Sequence, residues 1–542
     1  MLTPGFMTPT PTLVSPARRL NLTEHFLERN LHEGRAEKVA VIVDHPTRGV
    51  SHHTYRDISE LANRYGHELK ARGIGLEDRV FIVLEDGVEW VAAFFGALKI
   101  GATTMFLNPA VTAEEVAFYL EDSRARGLIT NTAFVDRLPK THDRRHLRTV
   151  LLVDDPETVT AIERWPTTLE TAPTTEEDFA IWLYSSGSTG APKAAVHRAY
   201  DFVYNTERYP TTVLHQNEHD RTLSVPKLFF GYATGSNLLF TFRFGGTSIL
   251  FPDKPTPDRL FDLVERHSAT ILISVPTMIA QMADRFEERP SNVKSLRVVT
   301  SAGEALPPEL YVRFKAKVGV EILDGIGSAE MFHIFISARF GEVVPGSLGT
   351  LVDGYEAKIV DDDGREVGPG EVGTLWVGGG SAAAFYWQRQ EKSREVLQGK
   401  WVVSADRFMR DARGLFWYRG RADDILKVGG RWLAPTEIED VLVRHPAVAE
   451  AGAAPFISEG LVKPMAFVIL RAGFEGGEPM AKTLLEHCGH RLERFKVPRF
   501  IEFVETLPRS DRDKLARSKL KPLAQEVAHL RGLGDPTEVT EA

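Results

Sequence analysis

The chain has 542 residues, 43% of them hydrophobic and 26% charged, with a formal net charge of −9. That length calls for two or more domains, and the acidic balance argues against broad nucleic-acid binding. No apolar run reaches the ~18–20 residues of a membrane helix, and the single Cys488 excludes an intrachain disulfide framework and suits a reducing cytoplasm.

Residues 1–19 are proline-rich without an apolar h-region, so they read as a disordered tail rather than a secretory signal. Helical spacing over 59–72 stops at Gly73. Residues 79–84 read as a buried strand, and 89–100 as an apolar helix ended by Gly101. Alternation of this kind predicts an α/β fold with mostly parallel sheets flanked by helices.

Four later segments share one design, an apolar strand running into a polar or Gly-rich loop. Residues 179–184 run into Ser185-Ser186-Gly187-Ser188-Thr189-Gly190, and 271–275 into Pro276-Thr277. Residues 296–299 run into Thr300-Ser301-Ala302-Gly303-Glu304, and 320–323 into Asp324-Gly325-Ile326-Gly327-Ser328. Loops at the carboxyl ends of parallel strands converge on a ligand, so all four predict one cleft. From about 345 to 417, short β-like runs separated by Asp-Gly and Pro-Gly turns predict a small β-barrel subdomain. The polar segment 420–424 then precedes new alternating elements, and the main boundary is placed there.

The run from Arg491 to Lys521 holds ten Lys or Arg against five Asp or Glu. Alone it would be a solvated helix face. The strongest local signal is Ser185 through Gly190 followed by Ala191-Pro192-Lys193. Glycines let backbone N–H groups close on phosphate oxygens, hydroxyls add donors, and Lys193 adds charge. The spacing is not that of a Walker A loop.

This loop resembles the phosphate-binding signature of the acyl-adenylate-forming superfamily, which includes acyl-CoA synthetases, firefly-type luciferases and peptide-synthetase adenylation domains. Ser301-Ala302-Gly303-Glu304-Ala305 resembles the family's adenine-side segment. Asp324-Gly325-Ile326-Gly327-Ser328-Ala329-Glu330 resembles its Y-G-x-T-E segment. Asp406 and Gly420-Arg421-Ala422-Asp423-Asp424 resemble the ribose-binding Asp and the hinge motif. Residues 507–514, ending in Lys514, resemble the C-terminal P-K-T-x-x-G-K segment. The resemblance runs from about residue 20 to 525 and implies an N-terminal AMP-binding domain over 20–422 followed by a small, mobile α+β domain over 423–542.

It also implies ATP, Mg²⁺ and coenzyme A, and two half-reactions. The carboxylate attacks the α-phosphorus with release of pyrophosphate, and the CoA thiol then displaces AMP. Lys514 is expected to bridge the two anions as catalytic cation. Glu330 would hold Mg²⁺, and Asp406 and Arg421 the ribose. Asp423 would be the hinge, with Lys427, Gly429 and Gly430 lining the pantetheine tunnel, and the basic run would hold nucleotide phosphates. Three positions depart from the pattern: Ala329 for Thr, Ile326 for an aromatic, and Asp513 for Gly.

Within the superfamily the benzoate-CoA and 2-aminobenzoate-CoA ligase group is most similar, because Lys227-Leu228-Phe229-Phe230-Gly231-Tyr232 resembles its K-L-F-F-A-Y segment and Met331-Phe332-His333-Ile334-Phe335 its M-L-H-I-F segment. Carried across, Gly231, Tyr232, His333 and Ile334 line the aryl pocket. Gly231 in place of Ala would free space for a substituent, to which Thr234 would offer a hydrogen bond. The expected partners are an aromatic acid, ATP and CoA, with no nucleic acid and no membrane; a homodimer is allowed. The alternatives are an adenylation protein loading a carrier-protein phosphopantetheine and a binding protein with a degraded site.

Overall fold

The computed structural model describes residues 17–138, 145–187, 190–421, 426–428, 431–458, 461–509 and 515–532. The expected domain boundary at 422/423 and most of the tail 1–19 therefore lie outside the described residues.

The early elements follow the sequence periodicity. Helix Tyr55–Ala71 begins with a capping box in which Thr54 Oγ1 accepts from Asp57 N and the Asp57 carboxylate accepts from Thr54 N. It ends where Gly73 takes a left-handed turn at φ +80°. Helix Val88–Lys99 is buried along most of its length, which places it between layers. The two helices cross at Gly96, where an added Cβ would lie 2.6 Å from Ala62 O.

Two large sheets flank such helices. In the seven-stranded sheet the order is Phe385–Tyr386, Gly190–Arg198, Phe179–Gly187, Thr103–Phe106, Arg79–Ile82, Gly127–Thr130, Thr149–Leu152. In the nine-stranded sheet it is Thr350–Leu351, Ile334–Ser337, Ile322–Gly327, Val298–Ser301, Ile271–Ser274, Arg221–Ser224, Thr247–Leu250, Val39–His45, Gly49–Thr54. Central pairings are parallel; the edge pairings of the nine-stranded sheet are antiparallel, whereas the seven-stranded sheet is antiparallel at the Phe385–Tyr386 edge and parallel at the Thr149–Leu152 edge. The central strands are buried throughout, as parallel strands covered on both faces must be.

Two expected loops are strand instead. Strand Phe179–Gly187 takes in Ser185-Ser186-Gly187 and pairs with Gly190–Arg198 as an antiparallel hairpin with Ser185 opposite Lys193. Strand Ile322–Gly327 includes Asp324-Gly325-Ile326-Gly327 and pairs with Ile334–Ser337. Glycine is needed there for close backbone approach, since an added Cβ would lie 2.9 Å from Ile336 O at Gly325 and 2.5 Å from His333 O at Gly327. The four motif strands divide between the two sheets, one in the first and three in the second.

A third, five-stranded antiparallel sheet contains Glu356–Val360, Val372–Gly378, Leu397–Gln398, Trp401–Arg410 and Phe416–Arg421. This sheet occupies the segment expected to form the small β subdomain, and Trp401–Arg410 is its longest strand. The C-terminal region is α+β: Val448–Ser458 and Leu461–Leu470 pair antiparallel, with Ile501–Phe503 parallel to the latter. Helices Pro435–Val443 and Glu478–Gly489 contribute to one apolar cluster (Leu442, Leu484, Cys488), and Arg517–Leu530 to another (Phe456, Leu520, Ala524). Arg444 meets Glu309 at 3.0 Å and Arg471 meets Asp284 at 3.4 Å, joining this region to two helices of the larger part. No helix among the described residues is long and apolar enough to cross a membrane.

Candidate active site

The hairpin places Lys193 against Glu330, although 137 positions separate them in the chain. Lys193 Nζ donates to Tyr386 Oη at 2.8 Å and lies 3.6 Å from Glu330 Oε1. Tyr386 in turn donates to Glu330 Oε1 at 2.5 Å. Glu330 sits in the single 3₁₀ turn Ala329–Met331, which Ser328 caps by accepting from Met331 N. Burial alone would raise the Glu330 carboxyl, but Lys193 and the Tyr386 hydroxyl outweigh it and hold the carboxyl below its ordinary range. Glu330 is thus an anion in a largely buried place. Tyr386, on the short edge strand Phe385–Tyr386, belongs to no sequence motif, and sequence reasoning missed it. Only its pairing with Gly190–Arg198 brings it here.

The hairpin is anchored from behind. Tyr184 donates to Asp122 Oδ2 at 2.8 Å, and Arg389 reaches Asp122 Oδ1 at 2.8 Å. Ser186 and Gly187 belong to strand Phe179–Gly187 and Gly190 to its partner, whereas Ser188 and Thr189 lie outside the described residues.

On the nine-stranded sheet, Ser301 at the end of Val298–Ser301 stands opposite Asp324, within Ile322–Gly327, on adjacent parallel strands. The buried atoms Ser185 Oγ, Ser301 Oγ and Asp324 Oδ1 have no hydrogen-bond partner among the described residues. Such orphaned groups are rare in a folded interior and fit a ligand with many polar atoms. Burial pushes the Asp324 carboxyl up to about 7. Gly303 takes a positive φ of 93°, Glu304 accepts from Thr277 at 2.9 Å, and Ala305 is exposed. Ile326 packs against the main core, so its contact is apolar.

The expected aryl-pocket residues divide. His333 is buried among the rings of Tyr209, Tyr232, Phe240 and Phe332. Its Nε2 donates to Tyr232 O at 3.0 Å, and its Nδ1 has no partner among the described residues. Burial lowers its pKa to about 3, so the ring is neutral. The Tyr232 hydroxyl meets Thr300 Oγ1 at 2.9 Å, and Ile334 is buried. The space beside Gly231 is bounded by Leu183, whose Cδ1 would lie 3.3 Å from an added Cβ. Thr234 does not serve as expected. Its hydroxyl donates to Leu228 O at 2.5 Å within a helical stretch, which leaves a substrate little claim on that proton.

Asp406 and Arg421 are direct partners across the antiparallel pair Trp401–Arg410 and Phe416–Arg421. Lys427 lies in the short strand Leu426–Val428. Asp423, Gly429, Gly430, Asp513 and Lys514 lie outside the described residues. Within the basic run, Lys496 pairs with Glu437 at 2.7 Å, Arg509 with Glu450 and Arg517 with Glu439. These three cations therefore serve the small domain's own carboxylates.

The chain belongs to the AMP-binding enzyme family, whose profile matches residues 27–387, and the AMP-binding enzyme C-terminal domain matches residues 437–514. It is similar to a benzoate–CoA ligase of Thauera aromatica, 36% identical over 519 residues covering 94% of this chain and 98% of the relative. An anthranilate–CoA ligase of Pseudomonas aeruginosa is 31% identical, covering 83% of this chain and 88% of the relative. Among solved structures, the anthranilate CoA ligase AuaEII in complex with anthranoyl-AMP matches with a TM-score of 0.89 and 37% identity, covering 94% of this chain and 98% of that one. A benzoate CoA ligase from Burkholderia xenovorans matches with a TM-score of 0.83 and 36% identity, covering 93% and 100%.

Proposed function

We infer that this chain is an AMP-forming aryl acid–CoA ligase, which joins a benzoate-like acid to CoA through an aryl-adenylate at the expense of ATP. The observation that carries this reading is the contact of Lys193, Tyr386 and Glu330, in a chain similar over nearly its full length to benzoate–CoA and anthranilate–CoA ligases. In the first step a carboxylate oxygen bonds to the α-phosphorus and pyrophosphate leaves. In the second the CoA sulfur bonds to the acyl carbon, AMP leaves, and the thiol proton is lost to solvent.

Each residue has a physical task. Lys193 and the hairpin amides would hold phosphate oxygens; Ser301, Gly303, Glu304, Ala305 and the segment 324–328 would flank the base, and Asp406 with Arg421 the ribose. No group of three or more His, Cys, Asp or Glu among the described residues is placed to hold a metal. A single ionised carboxylate such as Glu330 fits Mg²⁺, which takes one or two protein oxygens and completes its shell with phosphates and water. When bound, that ion supplies positive charge between the phosphates. Lys514 would bridge acid and α-phosphate, and the 423–542 domain would turn about Asp423 to bring Lys427, Gly429 and Gly430 to the thiol. Gly231, Tyr232, His333 and Ile334 would bound the aryl ring, with benzoate or 2-aminobenzoate as substrate.

Formation of AMP and pyrophosphate across benzoate, 2-aminobenzoate and 4-hydroxybenzoate, with CoA present, tests the reading. Preference for a long alkyl acid would end it, and loss of pyrophosphate release in Lys514→Ala would support the catalytic assignment. A carrier-protein acceptor is not favoured by similarity to CoA ligases; thioester formation with a holo-carrier in place of CoA checks it. A cytoplasmic location fits this reading and a homodimer is allowed by it, with light scattering as the test of oligomeric state.

A further inference from the structure

The strand that carries Lys193 also carries His197, on the same face because successive side chains alternate. His197 is fully buried. Its Nε2 donates to Ala329 O at 2.6 Å, and its Nδ1 faces Asp201 Oδ2 at 3.1 Å. Asp201 is equally buried and is held by Arg198 N and Arg198 Nη2, each at 3.0 Å. The segment that His197 grips is the 3₁₀ turn bearing Glu330, gripped one residue before the carboxylate. Other carbonyls of that segment are held too: Glu330 O by Ala383 N, Met331 O by Ser381 Oγ, and Ile334 O by Asn205 Nδ2.

We propose that Asp201 and His197 form a positioning pair that sets the Glu330 carboxylate at the height of Lys193. One strand then grips the same turn twice, through the carboxylate by Lys193 and through the preceding carbonyl by His197. The second grip matters because Ala329 has no hydroxyl with which to fix the turn from its own side. Ala383 and Ser381 hold the carbonyls of Glu330 and Met331, and His197 adds the hold on the first residue of the turn, where misplacement of a metal-binding carboxylate costs affinity even when the ligand itself is intact. This inference rests on Glu330 being the carboxylate that receives Mg²⁺.

Three substitutions in the full-length chain separate positioning from packing. In His197→Gln the amide nitrogen reaches the Nε2 position and keeps the bond to Ala329 O; in His197→Asn it reaches only the Nδ1 position; His197→Ala loses both. The readouts are MgATP binding by calorimetry without acid or CoA, the Mg²⁺ concentration for half-maximal pyrophosphate release, and the melting temperature. Removing support behind a metal ligand typically weakens the site about 10–100-fold. We expect His197→Asn and His197→Ala to raise the half-maximal Mg²⁺ about tenfold and to weaken MgATP binding in parallel, with His197→Gln within about threefold of the parent. Equal Mg²⁺ dependence in all three, with losses that follow melting temperature alone, would overturn the proposal. A parent protein that binds MgATP with no sensitivity to Glu330→Gln would instead refute the metal role of Glu330, and the pair with it.

Discussion

Lys193 Nζ lies 3.6 Å from Glu330 Oε1, an ion pair that spans two different sheets. The hairpin from one sheet and the 3₁₀ turn beside the other are thereby set at a fixed distance, and Tyr386 closes the triangle. The pair is mostly buried, so removing one partner leaves an uncompensated charge.

For Lys193→Met, the largest opposing effect on Glu330, burial, would act without its main counterweight. The Glu330 carboxyl then rises, so it protonates as the pH is lowered sooner than in the parent. The acid limb of pyrophosphate release, recorded as kcat/KM against pH, should move to higher pH. An unmoved limb with only a lower plateau would mean that Lys193 acts on the nucleotide alone.

Tyr386→Phe keeps the ring and removes one hydroxyl that touches both charges. A hydrogen bond to a charged group contributes about 1.5–3 kcal/mol, so kcat/KM for MgATP should fall by at least about tenfold. KM for the acid should change little. Steady-state kinetics with each substrate varied checks both.

At Gly231, the added methyl of Gly231→Ala would touch the end of Leu183 at 3.3 Å. That contact is tight but meets a flexible side chain, so the chain should fold normally. Narrowing a hydrophobic pocket by one carbon shifts discrimination by about 1–3 kcal/mol. We expect kcat/KM for 2-aminobenzoate to fall roughly tenfold or more relative to benzoate. Equal losses on both acids would remove Gly231 from the specificity argument.

His333 contributes to the pH dependence of stability. Its folded pKa of about 3 lies below the unfolded value of 6.5, so the unfolded chain takes up the proton first. The stability it lends is fully present above pH 6.5 and is lost as the pH falls toward 3. By linkage the loss is about 2 kcal/mol at pH 5. His25, lowered to about 4 mainly by burial, acts in the same direction. Melting temperatures at pH 7 and pH 5 should converge in His333→Leu compared with the parent, whatever the cost of the substitution at pH 7.

Much of this protein could be read from its letters. Gly73 and Gly101 punctuate helices at positive φ, as their placement after apolar periodic runs predicts. The buried strands at 271, 298 and 322 stand out because parallel strands covered on both faces need unbroken apolar runs. Lys193, Glu330, Ser301 and Asp324 can be singled out from the sequence, since the motifs that hold them have distinctive composition and local spacing. Other features had no local signature. Loop and strand are not distinguished by a run such as Asp324-Gly325-Ile326-Gly327; pairing with Ile334–Ser337 decides it. Thr234 looks like a free donor until the turn preceding its helical stretch supplies Leu228 O.

The sequence by itself determined the chemistry on offer, because short motifs dictate which donors, charges and backbone shapes exist along the chain. Only the tertiary structure decided which of them meet: Tyr386 with Glu330, His197 with Ala329, Leu183 beside Gly231. Those contacts come from strand order and edge pairing, which are settled by burial summed over the whole chain rather than by any local stretch.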